Sequence, residues 1–302
     1  MDVLRTPDER FAGLPEFPFA PHYVEVPDGE GGTLRVHHLD EGPRDGRVVV
    51  FLHGNPSWSF LWRKLIPHFV AAGYRCIAPD LVGLGRSDKP ARLGDFTVAR
   101  HVAWMRSALF DALALPQVDL VAQDWGGIIG LRLVAALPEG FRTVTMANTG
   151  MPIGQGPFSK MLREWPAMAA AMPEFPVGTL VRAGCAEPMS DTVVAAYDAS
   201  FPDERYKAAA RSFPALIPLT PDNPAVPDQL AAWTALERFA KPFLCAFSDK
   251  DPVNKGGDRM LRERIPGAQG QPHTTITGGG HFLQEDRGPE LAHVVLDFLA
   301  TR

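Results

Sequence analysis

The sequence predicts an α/β protein in which helices flank a mostly parallel central sheet and a helical cap is inserted into the chain. Two observations predict the sheet. Residues 48–52 and 118–122 are largely apolar runs typical of strands buried on both faces, and segments with helical spacing separate such runs. A third observation predicts the cap, because frequent prolines break residues 151–232 into short helical pieces. We therefore expect one core, residues 1–150 and 233–302, and one cap.

The first elements of the chain are predicted to begin the sheet. Residues 22–26 and 33–38 alternate apolar and polar side chains on either side of the glycine-containing turn 28–32, which indicates an antiparallel hairpin. The apolar runs and helical spacing that follow predict a βαβ unit. Its elements are a strand over 48–52, a helix over 58–72 and a strand over 74–78.

The later elements continue this alternation on both sides of the cap. Apolar spacing and length distinguish their helices from their strands. They are a helix over 98–113, a strand over 118–122 with a helix after it, strands over 143–148, 242–247 and 273–276, and a final helix over 289–299. The glycine-containing loop 79–88 has no Gly-Lys-Ser/Thr sequence and lacks the third glycine of a dinucleotide site, so it does not indicate phosphate binding.

The composition excludes several classes of function. Of the 302 residues, 45% are apolar and 22% are charged, and no apolar run approaches the roughly 18 residues of a membrane span. A net charge of −5 offers no basic surface for nucleic acid. The widely spaced Cys76, Cys185 and Cys245 argue against a disulfide framework or a zinc site. The charged N-terminus has no signal-peptide core, which predicts a cytoplasmic protein.

A candidate nucleophile lies between the strand 118–122 and the helix that follows it. Asp124 occupies the turn and is followed by Trp125 and two glycines, as in the strand–turn–helix of a nucleophile elbow. An ionised carboxylate needs no base to activate it, so we expect direct attack on a substrate carbon. The alternative is that Asp124 only caps the helix, since Asp is a preferred N-cap residue.

Further candidates follow the other predicted parallel strands, at the edge of the sheet where ligands bind. His281 could deprotonate the water that hydrolyses an ester of Asp124, and Asp251 would orient its imidazole, with Asp249 as the competitor. The backbone N–H groups of Asn55 and Trp125 would stabilise the oxyanion. The order nucleophile, acid, histidine is that of the α/β-hydrolase fold, which we therefore predict.

Four motifs together make the sequence resemble the haloalkane dehalogenases, specifically the subfamily whose acid follows the late core strand. They are residues 53–59, 78–90, 123–127 and 280–286, and the similarity extends to 199–203 in the cap. The resemblance implies that two indole N–H groups, from Trp125 and the cap residue Trp165, bind the departing halide. In a related subfamily an Asn at the position of Asn55 also donates from its side chain, so Asn55 is expected to act through its amide or through its backbone alone.

The expected function is hydrolysis of haloalkanes to alcohol, halide and a proton through a covalent alkyl-aspartate ester. It requires no cofactor or metal, and we expect a monomer whose partners are a small halogenated aliphatic substrate and the halide ion, with no membrane or nucleic acid. The alternative is an epoxide hydrolase, which shares the triad but needs an acid for its leaving alkoxide. Tyr197 and Tyr206 would be the candidates for that acid. A catalytically idle binding scaffold would be expected to have lost part of the triad, and none is lost.

Overall fold

The computed structural model describes residues 1–302 and confirms the predicted fold class. The strands are β1 (Val3–Leu4), β2 (His22–Pro27), β3 (Thr33–Glu41), β4 (Val48–Leu52), β5 (Arg75–Pro79), β6 (Lys89–Pro90), β7 (Val118–Gln123), β8 (Phe141–Ala147), β9 (Phe243–Ser248) and β10 (Thr274–Ile276). The helices are α1 (Ile66–Ala71), α2 (Val98–Arg106), α3 (Trp125–Ala136), α4 (Lys160–Ala171), α5 (Val177–Ala183), α6 (Asp191–Asp198), α7 (Ala208–Leu216), α8 (Val226–Leu236), α9 (Gly257–Arg264) and α10 (Leu283–Ala300).

Eight strands form the central sheet, in the order β10-β9-β8-β7-β4-β5-β3-β2. The pairs from β10 to β5 are parallel, whereas β3 runs antiparallel to both β5 and β2. Because β7 lies between β4 and β8, with Leu52 opposite Ala122 and Gln123 opposite Ala147, the chain leaves all three strands at the same edge. The residues that follow these strands are therefore neighbours.

The sheet is buried on both faces, as its apolar runs predict. Successive side chains of β4 point to opposite sides. Val50 and Leu52 join the hydrophobic cluster that includes Ile129 of α3, whereas Phe51 joins a second cluster that includes Phe69 of α1. Helices thus cover each face, and the central strands hold the functional edge on a rigid support.

Three predicted helices differ in extent from those observed. The helix expected over 98–113 is α2, which ends at Arg106, followed by a π-helical segment at Ser107–Ala112. In place of one helix over 58–72, a 3₁₀ turn at Ser59–Trp62 precedes α1. Trp58 is extended (φ −150°, ψ −176°), and the N–H of Ser59 donates to the Asp80 carboxylate at 2.7 Å, which holds the chain in a loop before the helix. The last helix begins at Leu283 rather than at 289, because a kink at Arg287 joins an additional N-terminal turn to the predicted segment.

Helices α4 to α8 are inserted between β8 and β9. The cap boundary predicted at residue 232 falls inside α8, which is attached to the core by the ion pair of Asp228 with Arg132 of α3 at 2.9 Å. The indole of Trp233 donates to the backbone oxygen of Met151, the first residue of the predicted cap, at 3.0 Å, which ties α8 to the point where the chain leaves the core. We therefore propose to end the cap before α8. None of the helices combines the length and apolarity that crossing a membrane requires.

Candidate active site

Asp124 stands at a strained turn between β7 and α3. Its backbone angles are φ 53° and ψ −126°, a conformation that costs a non-glycine residue roughly 1–3 kcal/mol. Although Asp124 occupies the N-cap position of α3, its side chain makes no capping hydrogen bond. The turn also depends on Gly126, where a Cβ would lie 2.1 Å from the backbone oxygen of Leu52. The strain therefore serves to project the carboxylate away from the helix.

The Asn55 loop after β4 lies directly against this carboxylate. The backbone N–H of Asn55 donates to Oδ1 of Asp124 at 2.9 Å, and a Cβ on Gly54 would come within 2.1 Å of the same oxygen. The side-chain Nδ2 of Asn55 instead donates to the backbone oxygen of Ala210 in α7 at 3.2 Å. Of the two functions expected of Asn55, this geometry favours the backbone donor.

His281 lies between two carboxylates. Its Nε2 is 3.4 Å from Oδ2 of Asp124, and its Nδ1 is 3.2 Å from Oδ1 of Asp251. Asp251 is almost fully buried and also accepts from the N–H groups of Val253 and Asn254. Asp249, the competing acid, accepts from the N–H of Gly278 at 2.7 Å. The structure thus brings Asp124, His281 and Asp251 together. The Asp249 carboxylate instead bonds the backbone of Gly278.

The two carboxylates control the protonation of His281. Burial by itself lowers the pKa of this imidazole, but the charge of Asp251 and the hydrogen bonds to Asp124 and Asp251 outweigh it and raise the pKa to about 10. Burial likewise raises the pKa of Asp251, and the charge and hydrogen bond of His281 outweigh that effect and lower it. At neutral pH the site therefore contains an imidazolium held between two carboxylates.

A small cavity adjoins Asp124. Its volume is about 20 Å³, enough for about one water molecule. Its apolar lining includes Trp125, Ile128, Leu162 of α4 and Ile217 at the end of α7. A groove of about 580 Å³ lies beside it, and both are lined by Leu162. A haloalkane with several carbons exceeds the small cavity, whereas the adjoining groove has room for it.

The two predicted halide donors are placed differently. Trp125 lines the cavity, and its ring packs against Phe213 with centroids 4.9 Å apart. Trp165 is half-buried on α4, with its ring centroid 6.3 Å from that of Phe175, and it is not among the residues that line the cavity. Pro166 lies inside α4 and removes the hydrogen bond that would join residues 166 and 162. In this arrangement α4 reaches the cavity through Leu162 rather than Trp165.

The two cap tyrosines lie apart from this chemistry. The Tyr197 hydroxyl is fully buried and donates to Oε1 of Glu285, which is also paired with the Arg63 guanidinium. Burial and the charge of Glu285 raise the pKa of Tyr197 well above its ordinary value. Neither Tyr197 nor Tyr206 lines the cavity. Tyr197 connects the cap to α10, and no phenol is placed to protonate a leaving alkoxide.

Two polar residues at the site escaped the sequence analysis. Gln123, the last residue of β7, is fully buried with its amide against His281. Asn148, the first residue after β8, donates from Nδ2 to the backbone oxygens of Gly280 and His281. Both were detectable by the rule that located Asn55, since each is a polar residue at the carboxyl end of a parallel strand.

Known proteins similar to this chain share its whole length. A family model described as the alpha/beta hydrolase fold matches residues 47–288. A haloalkane dehalogenase of Psychrobacter cryohalolentis is 52% identical over 99% of this chain and 98% of its own length. One from Mycobacterium marinum is 48% identical over 99% and 100%, respectively. The tetrameric structure of haloalkane dehalogenase DpaA from Paraglaciecola agarilytica NO2 superposes with a TM-score of 0.90 at 34% identity, covering 100% of this chain and 99% of that one.

Proposed function

This chain belongs to the haloalkane dehalogenases of the alpha/beta hydrolase fold, and on that premise we propose that Asp124, His281 and Asp251 carry its hydrolytic dehalogenation. The observation that carries this assignment is the Asp124 carboxylate, projected from a strained turn to 3.4 Å from Nε2 of His281. The experiment that tests it is release of halide and protons from 1,2-dibromoethane and 1-bromobutane by the purified protein and by the variants described below.

The first step forms an ester and releases the halide. One oxygen of Asp124 attacks the carbon bearing the halogen, and the carbon–halogen bond breaks with its electron pair leaving as halide. A halide needs no proton, so a neutral N–H donor in a dry cavity is sufficient to stabilise it. The indole of Trp125, which lines the cavity beside Asp124, is our first donor.

The second step hydrolyses the ester. His281 accepts a proton from water, and the oxygen of that water attacks the carboxyl carbon of Asp124. The negative charge that develops on the carboxyl oxygen is met by the backbone N–H groups of Asn55 and Trp125. Collapse of this intermediate breaks its bond to the alkoxide, which takes the remaining proton of the attacking water and leaves as alcohol. The carboxylate of Asp124 is regenerated, and Asp251 stabilises the imidazolium.

Alkylation itself prepares His281 to act as a base. The free site holds the imidazole between two negative charges, which favour its protonated form. Esterification removes the charge of Asp124, so the pKa of His281 falls and the imidazolium loses its proton to solvent. The resulting neutral imidazole is the form that can accept a proton from water.

Trp125→Phe is expected to slow bromide release by roughly 10- to 100-fold, because it deletes a hydrogen bond to a charged group. Trp165→Phe is expected to slow bromide release more than it affects folding, because the family resemblance makes its indole the second halide donor and its side chain is only half-buried. Pre-steady-state bromide release measures both effects. Trp62→Phe, buried in the cluster that includes Phe51, is the matched control. Unchanged release in Trp165→Phe would assign the second donor elsewhere, with the Asn55 amide as the first candidate.

Leu162→Ala is expected to shift the preference towards longer substrates. The side chain lines the cavity and is only half-buried, so its truncation enlarges the site at little cost in stability. We expect the ratio of kcat/KM for 1-bromohexane to that for 1,2-dibromoethane to rise about tenfold. Met161→Ala, at the exposed neighbouring position, is the control. An equal ratio in both variants would remove Leu162 from the determinants of substrate size.

The epoxide hydrolase alternative is not favoured. The haloalkane dehalogenase relatives match over the full chain, and the Tyr197 hydroxyl is already used by Glu285. Styrene oxide, assayed for diol formation, tests this alternative directly.

The expected monomer does not match the tetramer described for the Paraglaciecola relative, and light scattering of the purified protein distinguishes the two states. The cytoplasmic location stays a prediction.

A further inference from the structure

Gln123 places a buried amide against the imidazole of His281. Its Nε2 is 3.1 Å from the backbone oxygen of His281 and 3.4 Å from Nε2 of the same residue. The Oε1 atom is buried and has no hydrogen-bond partner. The two residues are 158 positions apart in the chain, and Gln123 immediately precedes Asp124, so one strand end contributes both the nucleophile and a contact to the base.

The backbone oxygen of His281 fixes which end of this amide faces the imidazole. A carbonyl oxygen only accepts hydrogen bonds, so the NH₂ group of Gln123 must face it. In the opposite orientation the Oε1 atom of Gln123 would face the backbone oxygen of His281, and two hydrogen-bond acceptors would repel each other. Asn148 also donates to this carbonyl oxygen at 3.0 Å, which holds the oxygen in place. The NH₂ group is thereby presented to Nε2 of His281 as well.

An NH₂ group in that position discriminates between the two forms of the imidazole. A neutral imidazole with its proton on Nδ1, facing Asp251, offers a lone pair on Nε2 that can accept from Gln123. An imidazolium carries a proton on Nε2, so its N–H group would face the NH₂ group of Gln123 and neither could accept a hydrogen bond. A donor that bonds only the neutral form favours that form.

We propose that Gln123 is a positioning residue that holds His281 in its neutral, proton-accepting state while the ester of Asp124 is hydrolysed. The proposal rests on the proposed function and assigns Gln123 to the second step alone. Before alkylation the negative charge of Asp124 overrides the amide, and His281 stays protonated. After alkylation the charge of Asp124 is absent. The Gln123 amide then favours the neutral form of His281, and Asp251 is the remaining carboxylate that favours the protonated form.

The other groups around His281 do not supply this effect. Asp124 and Asp251 are the carboxylates that act on its charge, and both favour the protonated form. The backbone N–H of His281 donates to the oxygen of Gly184 in the cap, next to Cys185. Burial raises the pKa of the Cys185 thiol, so this group is neutral. Glu285, on α10, is paired with Arg63. Besides burial, which also lowers the pKa of His281, the Gln123 amide is therefore the polar group that favours the neutral imidazole.

The test is Gln123→Leu, studied by rapid-quench single turnover with 1,2-dibromoethane. Halide release reports alkylation, and alcohol formation reports hydrolysis. We expect alkylation within about threefold of wild type. Hydrolysis at neutral pH should slow about tenfold, with its pH profile displaced upward by about one unit, because loss of one hydrogen bond to the neutral form has about that effect. The alkyl-enzyme should accumulate as a result.

Gln284→Leu is the matched control. Gln284 is equally buried and lies three residues after His281 in the chain, and neither of its amide atoms makes a hydrogen bond, to the imidazole or to any other group. Hydrolysis and its pH profile are expected to match wild type in this variant. If Gln123→Leu behaves like Gln284→Leu, or slows both steps equally with no shift in pH profile, Gln123 has only a structural role.

A second variant covers the case in which Gln123→Leu fails to fold. Gln123→Met keeps the length of the side chain in the buried site but has no N–H group to donate to Nε2 of His281. Its hydrolysis profile should shift upward by about one unit, and an unshifted profile would overturn the proposal. Failure of the proposed function is recognised separately, because wild-type protein would then release no halide at all.

Discussion

Asp124→Ala is expected to abolish halide release from 1,2-dibromoethane and 1-bromobutane, by a factor on the order of 10⁵ or more. The Asp124 carboxylate is the nucleophile that attacks the carbon bearing the halogen. No other residue that lines the cavity has an ionised side chain to replace it. The measurement is steady-state halide and proton release, with styrene oxide assayed in parallel for diol formation.

The control for this variant is its stability. Alanine at this position loses no capping bond, because the aspartate makes none, but it leaves the Asn55 N–H and the His281 imidazole without the carboxylate that faces them. We therefore expect an unchanged circular dichroism spectrum and a Tm below that of wild type. Halide release that persists in folded Asp124→Ala would mean that another group is the nucleophile. Diol formed by the wild type without halide would transfer the activity to epoxide opening.

His281→Phe or His281→Gln is expected to stop the reaction after one turnover. Without a base to deprotonate water, hydrolysis of the ester should fall by about 10²–10⁴-fold, whereas attack by Asp124 does not depend on His281. One equivalent of halide should be released per site, and mass spectrometry should find the protein carrying the added alkyl group.

The fold around residue 281 should survive this change. Its backbone N–H donates to the Gly184 oxygen at 2.7 Å, and its backbone oxygen accepts from Asn148 and Gln123, so these contacts do not depend on the imidazole. Digestion should locate the alkyl group on the peptide containing Asp124. A folded, substrate-exposed variant that shows neither the halide burst nor the added mass would refute the two-step assignment.

Local patterns in the sequence were enough to predict the architecture. The run at 48–52 coincides with β4, because a strand buried on both faces needs apolar side chains on both of its sides. The elbow at Asp124 was recognisable because its strand, turn and small-residue helix are contiguous in the chain. The helix expected over 58–72 was correct only in its second half, where α1 lies, because a long-range bond from Ser59 to Asp80 holds its first residues in a loop.

The chain order alone left two alternatives open that three-dimensional contacts distinguish. Asp249 and Asp251 stand in the same short loop, and only the folded loop shows that Asp251 faces His281 while Asp249 accepts from Gly278. Asn55 could offer an amide or a backbone N–H, and the amide is occupied by Ala210 in the cap. The catalytic assignments built on these contacts stay predictions.

The sequence by itself determined the family, the fold class and the residue types available for chemistry, because these depend on motifs and periodicity within short segments. Only the tertiary structure decided which groups touch: that Trp165 lies outside the cavity, that Tyr197 is held by Glu285, and that Gln123 meets His281. The physical reason is that hydrogen bonds form over about 3 Å, whereas the partners of these contacts are brought together by strand order and loop packing that no local pattern encodes.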